Sequence, residues 1–163
     1  IFLLAGYYLD GLANAAEQLT GRAIGAGFRP AFDRALKMTA TWSLALAAVT
    51  TVAFFIVGDR LIDTLTTAAD VRAVAYEYMP WAAITAITGA LAFLMDGVFI
   101  GATWSRDMRN MMLLAFAGYV AALLVLVPLF GNHGLWVGLN LFLLFRGVFL
   151  LALVPRRARA SFA

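Results

Sequence analysis

The stretch Leu94-Met95-Asp96-Gly97-Val98-Phe99-Ile100-Gly101-Ala102-Thr103 decides the fold of this chain. It is almost wholly apolar, yet it carries the carboxylate of Asp96 near its start. A carboxylate at the centre of a membrane-spanning helix costs about 2.5–3.5 kcal/mol on insertion scales, so it faces the interior of a bundle and by default marks a functional site. Residues 104–110 follow and are mostly polar, with two arginines, which indicates that the helix leaves the apolar region there.

The composition indicates a polytopic α-helical membrane protein. Of the 163 residues, 64% are hydrophobic and 13% are charged, and the mean hydropathy is +0.90. A soluble domain is about 45–50% apolar and about 25% charged. Several apolar runs approach the roughly 20 residues that a helix needs to cross a bilayer.

The same inventory argues against several classes of function. The chain has no cysteine, which excludes disulfides and thiolate chemistry, and its single histidine, His133, excludes a multi-histidine site within this chain. The sequence contains no recognisable nucleophile–base pair, phosphate loop or cluster of metal ligands, so we do not expect an enzyme. The net charge of +3 is better explained by loop arginines that set membrane orientation than by nucleic-acid binding.

We predict an all-α transmembrane bundle of five spans. They cover about residues 1–24, 36–57, 76–103, 108–130 and 135–154. Between the second and third spans, Leu61, Ile62 and Leu65 share one helical face, which is typical of a segment lying along the membrane interface, although an ordinary polar connection fits as well. Because Ile1 opens the chain inside an apolar helix, we expect the C-terminal part of a longer protein.

The lysines and arginines predict the orientation of the bundle. Nine of them fall on one side of the predicted spans: Arg22, Arg29, Arg34, Lys37, Arg106, Arg109, Arg156, Arg157 and Arg159. Only Arg60 and Arg72 fall on the other side. Because basic residues accumulate on the cytoplasmic side, we expect a multi-pass protein of the inner (plasma) membrane with a cytoplasmic C-terminus. Trp104 lies near a span end, where tryptophan favours the headgroup region.

The first span carries a polar stripe. At about 100° per residue, Asp10, Asn14 and Glu17 fall on one narrow face together with Gly6 and Gly21. Such a face predicts a helix that borders a polar cavity or packs closely on a neighbour, with Asn14 and Glu17 as candidate lining residues. Alternatively, these side chains serve only as hydrogen-bonding groups between helices.

Four polar groups on four different spans lie at a similar depth. With a rise of about 1.5 Å per residue, Asp10 lies about 18 Å inward of the basic residue near the end of its span. By the same measure, Asp96, Tyr119 and Arg146 each lie about 15 Å inward. The apolar core of a bilayer is about 30 Å thick. The four side chains therefore predict a shared internal site near the middle of the membrane.

The charges of this layer suggest an ion-coupled process. Asp10 and Asp96 are two carboxylates for one guanidinium, that of Arg146, so at most one of them is neutralised by an ion pair within this chain. The other is suited to take up a proton or to bind a cation, and the one metal to consider is sodium at Asp96. The alternative is that Arg146 forms a purely structural ion pair that fixes the fifth span to the bundle.

Two stretches resemble spans of a known transporter family. Residues 9–27, LDGLANAAEQLTGRAIGAG, resemble the eighth span of the multidrug and toxic compound extrusion (MATE) family. Residues 95–103, MDGVFIGAT, followed by RDMRN at 106–110, are similar to the tenth span and its following loop, and the subgroup suggested is the DNA-damage-inducible branch. GNHGLW at 131–136 and Arg146-Gly147 also fit, so the resemblance covers essentially the whole chain.

The resemblance implies a twelve-helix antiporter with two six-helix lobes. This chain, residues 1–163, would supply spans eight to twelve as part of the C-terminal lobe. Family members export varied, often cationic organic compounds in exchange for protons or sodium, and no cofactor beyond this coupling ion is expected. Asp96 matches a tenth-span acidic position linked with cation binding, and Asp10 matches the Asp-Gly of the eighth span. The implied partners are the lipid bilayer, small organic substrates and an N-terminal lobe on the same or a separate chain.

A second interpretation is a membrane scaffold or partner-binding helix bundle whose buried charges only specify packing. Under it, Asp96→Asn and Arg146→Gln would lower the folded yield together and leave any transport intact. The antiporter instead requires Asp96→Asn to abolish transport.

Overall fold

The chain folds into five α-helices joined by short connections. A computed structural model describes residues 2–162, with side chains for residues 6–162. The helices are α1 (Phe2–Gly25), α2 (Arg29–Leu65), α3 (Ala69–Gly101), α4 (Ser105–Phe130) and α5 (Asn132–Ser161). The predicted all-α class is therefore confirmed, and Ile1, which opens the first predicted span, lies outside the described residues.

The helices extend beyond the predicted spans. Residues 36–57 lie within the longer α2, and the predicted third span at residue 76 begins well inside α3. Arginine and alanine are strong helix formers, so the change from apolar to charged sequence does not end a helix. Residues 58–72 accordingly form no separate interfacial helix, since they are divided between the end of α2 and the start of α3.

Four of the described helices, α2 to α5, are long and apolar enough to cross a membrane. The 24 residues of α1 give it a length of about 36 Å. Asp10, Asn14 and Glu17 interrupt its apolar sequence, which explains why hydropathy alone does not single it out. Its place in the bundle comes instead from its packing along α2 and α3.

The central element of the bundle is α3. It packs against α1, α2 and α5, whereas α4 packs mainly on α5. Most of the apolar stretch of α3 is consequently buried, and the apolar stretches of α2 and α4 are mostly exposed. Exposed side chains such as Val49, Ile56, Leu113 and Leu124 cover these outer helices, as expected for helices that face lipid.

Two glycines of α3 bring its backbone against α1. A Cβ atom added to Gly97 would overlap the carbonyl group of Ala13, and one added to Gly101 would overlap the carbonyl group of Glu17. Gly21 of α1 faces the same contact, because its added Cβ would lie 3.0 Å from the carbonyl oxygen of Gly101. Small residues one turn apart are the usual means by which membrane helices approach closely. The contact holds the polar stripe of α1 beside Asp96.

An aromatic cluster closes the end of the bundle where α1, α3 and α5 end. Trp104 is only 8% exposed, and its ring centroid lies 5.9 Å from that of Phe32 and 5.2 Å from that of Phe99. Its indole nitrogen donates to Ser161 Oγ at 3.2 Å, and Phe162 packs on Phe32 with ring centroids 5.7 Å apart. The start of α2 and the end of α5 cover Trp104, so its indole ring packs inside the bundle, and the expectation that it lies at the depth of the headgroups stays a prediction.

At the opposite end, hydrogen bonds connect α3 with α5. The indole Nε1–H of Trp81 donates to His133 Nδ1 at 3.0 Å, and His133 Nε2 lies 3.0 Å from Oε1 of Glu77. An indole nitrogen only donates, and an ionised carboxylate only accepts. His133 is therefore the neutral tautomer with its proton on Nε2, and both ring nitrogens bond to residues of α3.

Gly97→Ala is expected to destabilise the bundle, because the added methyl group would overlap the Ala13 carbonyl group and force α1 away from α3. Overpacking of this kind costs about 1–3 kcal/mol. The measurement is unfolding of the complete protein in detergent, by heat or denaturant. The matched control is Gly118→Ala in α4, where nothing lies within 4 Å of the added methyl group. Equal stability of the two variants would contradict the close contact of α1 with α3.

The tautomer of His133 is expected to be visible by ¹⁵N nuclear magnetic resonance of the histidine-labelled complete protein. Its Nδ1 should carry no proton and its Nε2 should carry one. Trp81→Phe with Glu77→Ala removes both partners of the ring, so the tautomer protonated on Nδ1 should then also be populated, and His133→Gln removes the signal and so assigns it. A wild-type ring protonated on Nδ1 would refute the bond from Trp81.

Candidate functional site

The site is built around an ion pair between α3 and α5. Arg146 Nη2 donates to Asp96 Oδ2, and the two side chains are 17% and 16% exposed. Gly147 allows α5 to lie close enough for this bond, since a Cβ atom there would be 2.9 Å from the backbone nitrogen of Ala92. The pair is therefore shielded from solvent within the described chain and held by the packing of two helices.

The second wall of the site is the polar stripe of α1. The close contact of Gly97 and Gly101 with α1 places that stripe beside Asp96, across a cavity of about 330 Å³. The residues lining it are Asp10, Ala13, Asn14, Glu17, Phe93, Asp96, Gly97, Ile100, Met108 and Arg146. Asp10 and Asn14 are exposed and Glu17 is half-buried, so the cavity opens on the α1 side.

The cavity carries more negative than positive charge. Three carboxylates, those of Asp10, Glu17 and Asp96, line it together with one guanidinium. Two buried atoms of the ion pair, Oδ1 of Asp96 and Nε of Arg146, have no hydrogen-bond partner among the described side chains. A buried carboxylate oxygen without a donor is unfavourable, and a proton or a cation at that oxygen would satisfy it. Carboxylate and amide oxygens are also the ligands that hard cations prefer.

Five of the six site residues predicted from sequence line this cavity, and Tyr119 does not. Tyr119 lies on α4, where its ring packs against Phe142 at 5.5 Å and Phe116 at 6.3 Å between centroids. Its predicted depth is the same as that of Asp96, but depth alone does not determine the direction in which a side chain points around the bundle. Helix α4 packs mainly on α5 and borders the cavity through Met108 near its start, so Tyr119, further along α4, does not line the cavity.

Sequence reasoning did not assign the apolar part of the lining. Phe93 and Met108 both border the cavity. Phe93 lies one helical turn before Asp96 and Gly97, so the 3.6-residue period places it on the same helical face and could have identified it as a lining residue. A neighbouring polar pair was also missed: Thr88 Oγ1 donates to Asn140 Oδ1 at 2.7 Å and joins α3 to α5. The asparagine within the apolar sequence of α5 could have indicated a hydrogen bond to a neighbouring helix.

Comparison with known proteins identifies the family of this helix bundle. The MatE family model matches residues 1–127. The chain belongs to the MATE family. The predicted family is thereby confirmed, and because MATE proteins are membrane transporters, the expectation that the chain is not an enzyme is confirmed as well.

Two relatives and one solved structure extend the comparison. DNA damage-inducible protein F of Escherichia coli (strain K12) is 35% identical over 159 residues, 98% of this chain and 34% of that protein. Protein DETOXIFICATION 44, chloroplastic, of Arabidopsis thaliana is 29% identical over 152 residues, 90% of this chain and 28% of that protein. The chain thus spans about a third of the length of the relatives that it matches.

The crystal structure of the eukaryotic MATE transporter AtDTX14 has the same fold. Its TM-score with this chain is 0.81 at 18% sequence identity, over 94% of this chain and 36% of that chain. The MATE fold of the bundle and its place in a multi-pass membrane protein are therefore shown. The roles of Asp96, Asp10 and the other site residues stay predictions.

Arg146→Gln is expected to destabilise the protein, because it leaves the shielded Asp96 carboxylate without its counter-charge. Removing one partner of a buried pair costs about 3–5 kcal/mol, and the lower end applies to a partly exposed pair. Unfolding of the complete protein in detergent measures the loss. The double variant Asp96→Asn with Arg146→Gln should recover part of it, whereas Arg109→Gln, at an exposed site, should change little. A double variant no more stable than Arg146→Gln alone would refute the pairing.

Proposed function

We propose that the complete protein is a secondary antiporter that exports organic, often cationic, compounds in exchange for protons or sodium, and that this chain forms part of its C-terminal lobe. The observation that carries the proposal is the unpartnered Oδ1 of Asp96 beside a cavity with an excess of carboxylates. Membership of a family of membrane transporters supports it. The proposal includes an inner-membrane location, a cytoplasmic C-terminus and an N-terminal lobe on the same or a separate chain.

Electrostatics makes the coupling ion and a cationic substrate oppose each other's binding. With Asp96 ionised, the carboxylates of the cavity outnumber its guanidinium and attract an organic cation. A proton or sodium ion on Asp96 halves that excess of negative charge, because only Asp10 and Glu17 then oppose the guanidinium, and it competes with Arg146 for the carboxylate. The guanidinium then repels a cationic substrate from the same cavity. Since coupling between two ligands is reciprocal, substrate binding lowers the affinity of Asp96 for the ion to the same extent.

Each residue of the cavity has a distinct role in this scheme. Asp96 is the ion-coupling carboxylate, and Arg146 is the internal cation that competes for it. Asp10 and Glu17 supply negative charge on the wall formed by α1, and Asn14 between them offers an amide that donates or accepts. Phe93 and Met108 supply apolar surface for the body of an organic molecule, and Met adapts readily to varied shapes.

Asp96→Asn in the complete protein is expected to abolish ion-driven export, because an amide carries no negative charge. It therefore cannot attract the coupling ion as the carboxylate does, and it cannot form an ion pair with Arg146. The measurement is efflux of a fluorescent lipophilic cation from proteoliposomes, driven in separate runs by a proton gradient and by a sodium gradient. The matched control is Asp70→Asn, an exposed carboxylate in the first turn of α3, which should keep full transport.

Two outcomes would overturn the proposal. Unchanged efflux in Asp96→Asn would remove Asp96 from the mechanism. A variant that yields less folded protein but transports normally per folded molecule would support the scaffold interpretation, in which the charges only specify packing. Whichever gradient drives wild-type efflux identifies the coupling ion.

A further inference from the structure

A second cavity lies at the basic end of the bundle, where α1 ends and α2 begins. Its volume is about 480 Å³. Its lining residues are Leu19, Phe28, Pro30, Ala31, Arg34, Ala35 and Met38. We call this the basic-end groove. It does not share a lining residue with the cavity around Asp96.

The groove has an apolar floor that continues along one face of α2. Ala31, Arg34, Ala35 and Met38 follow the i, i+3, i+4, i+7 spacing of a single helical face. Leu19 of α1 and Phe28 border the groove and are 45% and 58% exposed. Such a surface accepts a flexible hydrocarbon chain, because burying apolar groups along it removes no hydrogen bond.

The groove also carries a positive charge without a protein partner. Arg34 is exposed, and it forms no ion pair with any carboxylate that the structure describes. Arg29 lies 3.7 Å from Asp33, which is the only acidic residue between Gly21 and Met38. The segment also contains Arg22 and Lys37, so its charge is strongly positive.

We infer that the basic-end groove binds an anionic phospholipid, with the phosphate on Arg34 and an acyl chain against Leu19, Ala35 and Met38. An anionic head and a hydrocarbon tail match the two halves of the groove, the uncompensated guanidinium and the apolar floor. Basic pockets between helices at the membrane surface are where anionic headgroups bind. An arginine suits such a boundary, because its apolar stem can cover apolar surface while its guanidinium stays in the polar region.

A second groove on the same helix provides an internal comparison. It has a volume of about 420 Å³ and is lined by Ala48, Val49, Val52, Ala53 and Ile56. Its size is close to that of the basic-end groove, but no charged residue borders it. A lipid chain in contact with this groove has no headgroup partner there, so it should show no preference for anionic lipids.

The test uses the complete protein with a photo-crosslinking amino acid at Met38 or, as the control, at Val49. Both side chains are exposed, at 55% and 66%, so the substitution leaves the packing intact. The protein is placed in nanodiscs of one part phosphatidylglycerol to four parts phosphatidylcholine with identical acyl chains. After irradiation, mass spectrometry measures which lipid is attached at each position.

The ratio of phosphatidylglycerol to phosphatidylcholine attached at position 38 should be about fivefold higher than the bulk ratio, which is the factor expected from one basic side chain near an anionic surface. The ratio attached at position 49 should equal the bulk ratio. Arg34→Gln should remove the enrichment, and Arg159→Gln, at an exposed site outside the groove, should keep it. Equal lipid ratios at both positions, or enrichment that survives Arg34→Gln, would overturn the inference. So would crosslinking of position 38 to the protein itself, because another segment would then fill the groove.

Discussion

A guanidinium and a carboxylate inside an apolar bundle each need a compensating charge, which Asp96 and Arg146 supply to each other, and the arrangement of α1, α3 and α5 depends on that constraint. The pair of Asp96 and Arg146 requires α5 to lie against α3, which the glycine at 147 permits. It also requires a boundary that keeps lipid away on the remaining side, which α1 supplies through the backbone contact at Gly97. The buried ion pair therefore depends on the close contacts that α3 makes with α1 and α5.

Much of this arrangement could be predicted from sequence because its signals are local. Asp96 is a single carboxylate in an apolar run, and the spacing of the glycines at 97 and 101 is typical of a close contact with a neighbouring helix. The polar stripe of α1 follows from the helical period. These features, with Arg146 in the apolar sequence of α5, predicted the fold class and the five site residues that line the cavity, because each can be recognised on one helix without its neighbours.

Other features could not be predicted, because they depend on the direction in which a residue points around the bundle. Tyr119 has the depth of the site, but its ring packs against Phe142 of α5 and does not border the cavity. Trp104 has the position of an interfacial tryptophan but is covered by Phe32 and the end of α5. Hydropathy and length give the height of a residue in the membrane, whereas rotation is set by packing against neighbours.

The backbone contact between α1 and α3 also determines which part of the site is free to rearrange. The carbonyl groups of α1 lie directly against the Cα atoms of Gly97 and Gly101 in α3, so neither helix can slide or rotate against the other without steric overlap. Helices α1 and α3 therefore behave as one rigid unit. The groups that remain adjustable are long side chains, above all that of Arg146, which has several rotatable bonds and a buried Nε without a hydrogen-bond partner among the described residues. A coupling ion that displaced Arg146 from Asp96, as the proposed function requires, would therefore need only a change of rotamer and no movement of α1 against α3.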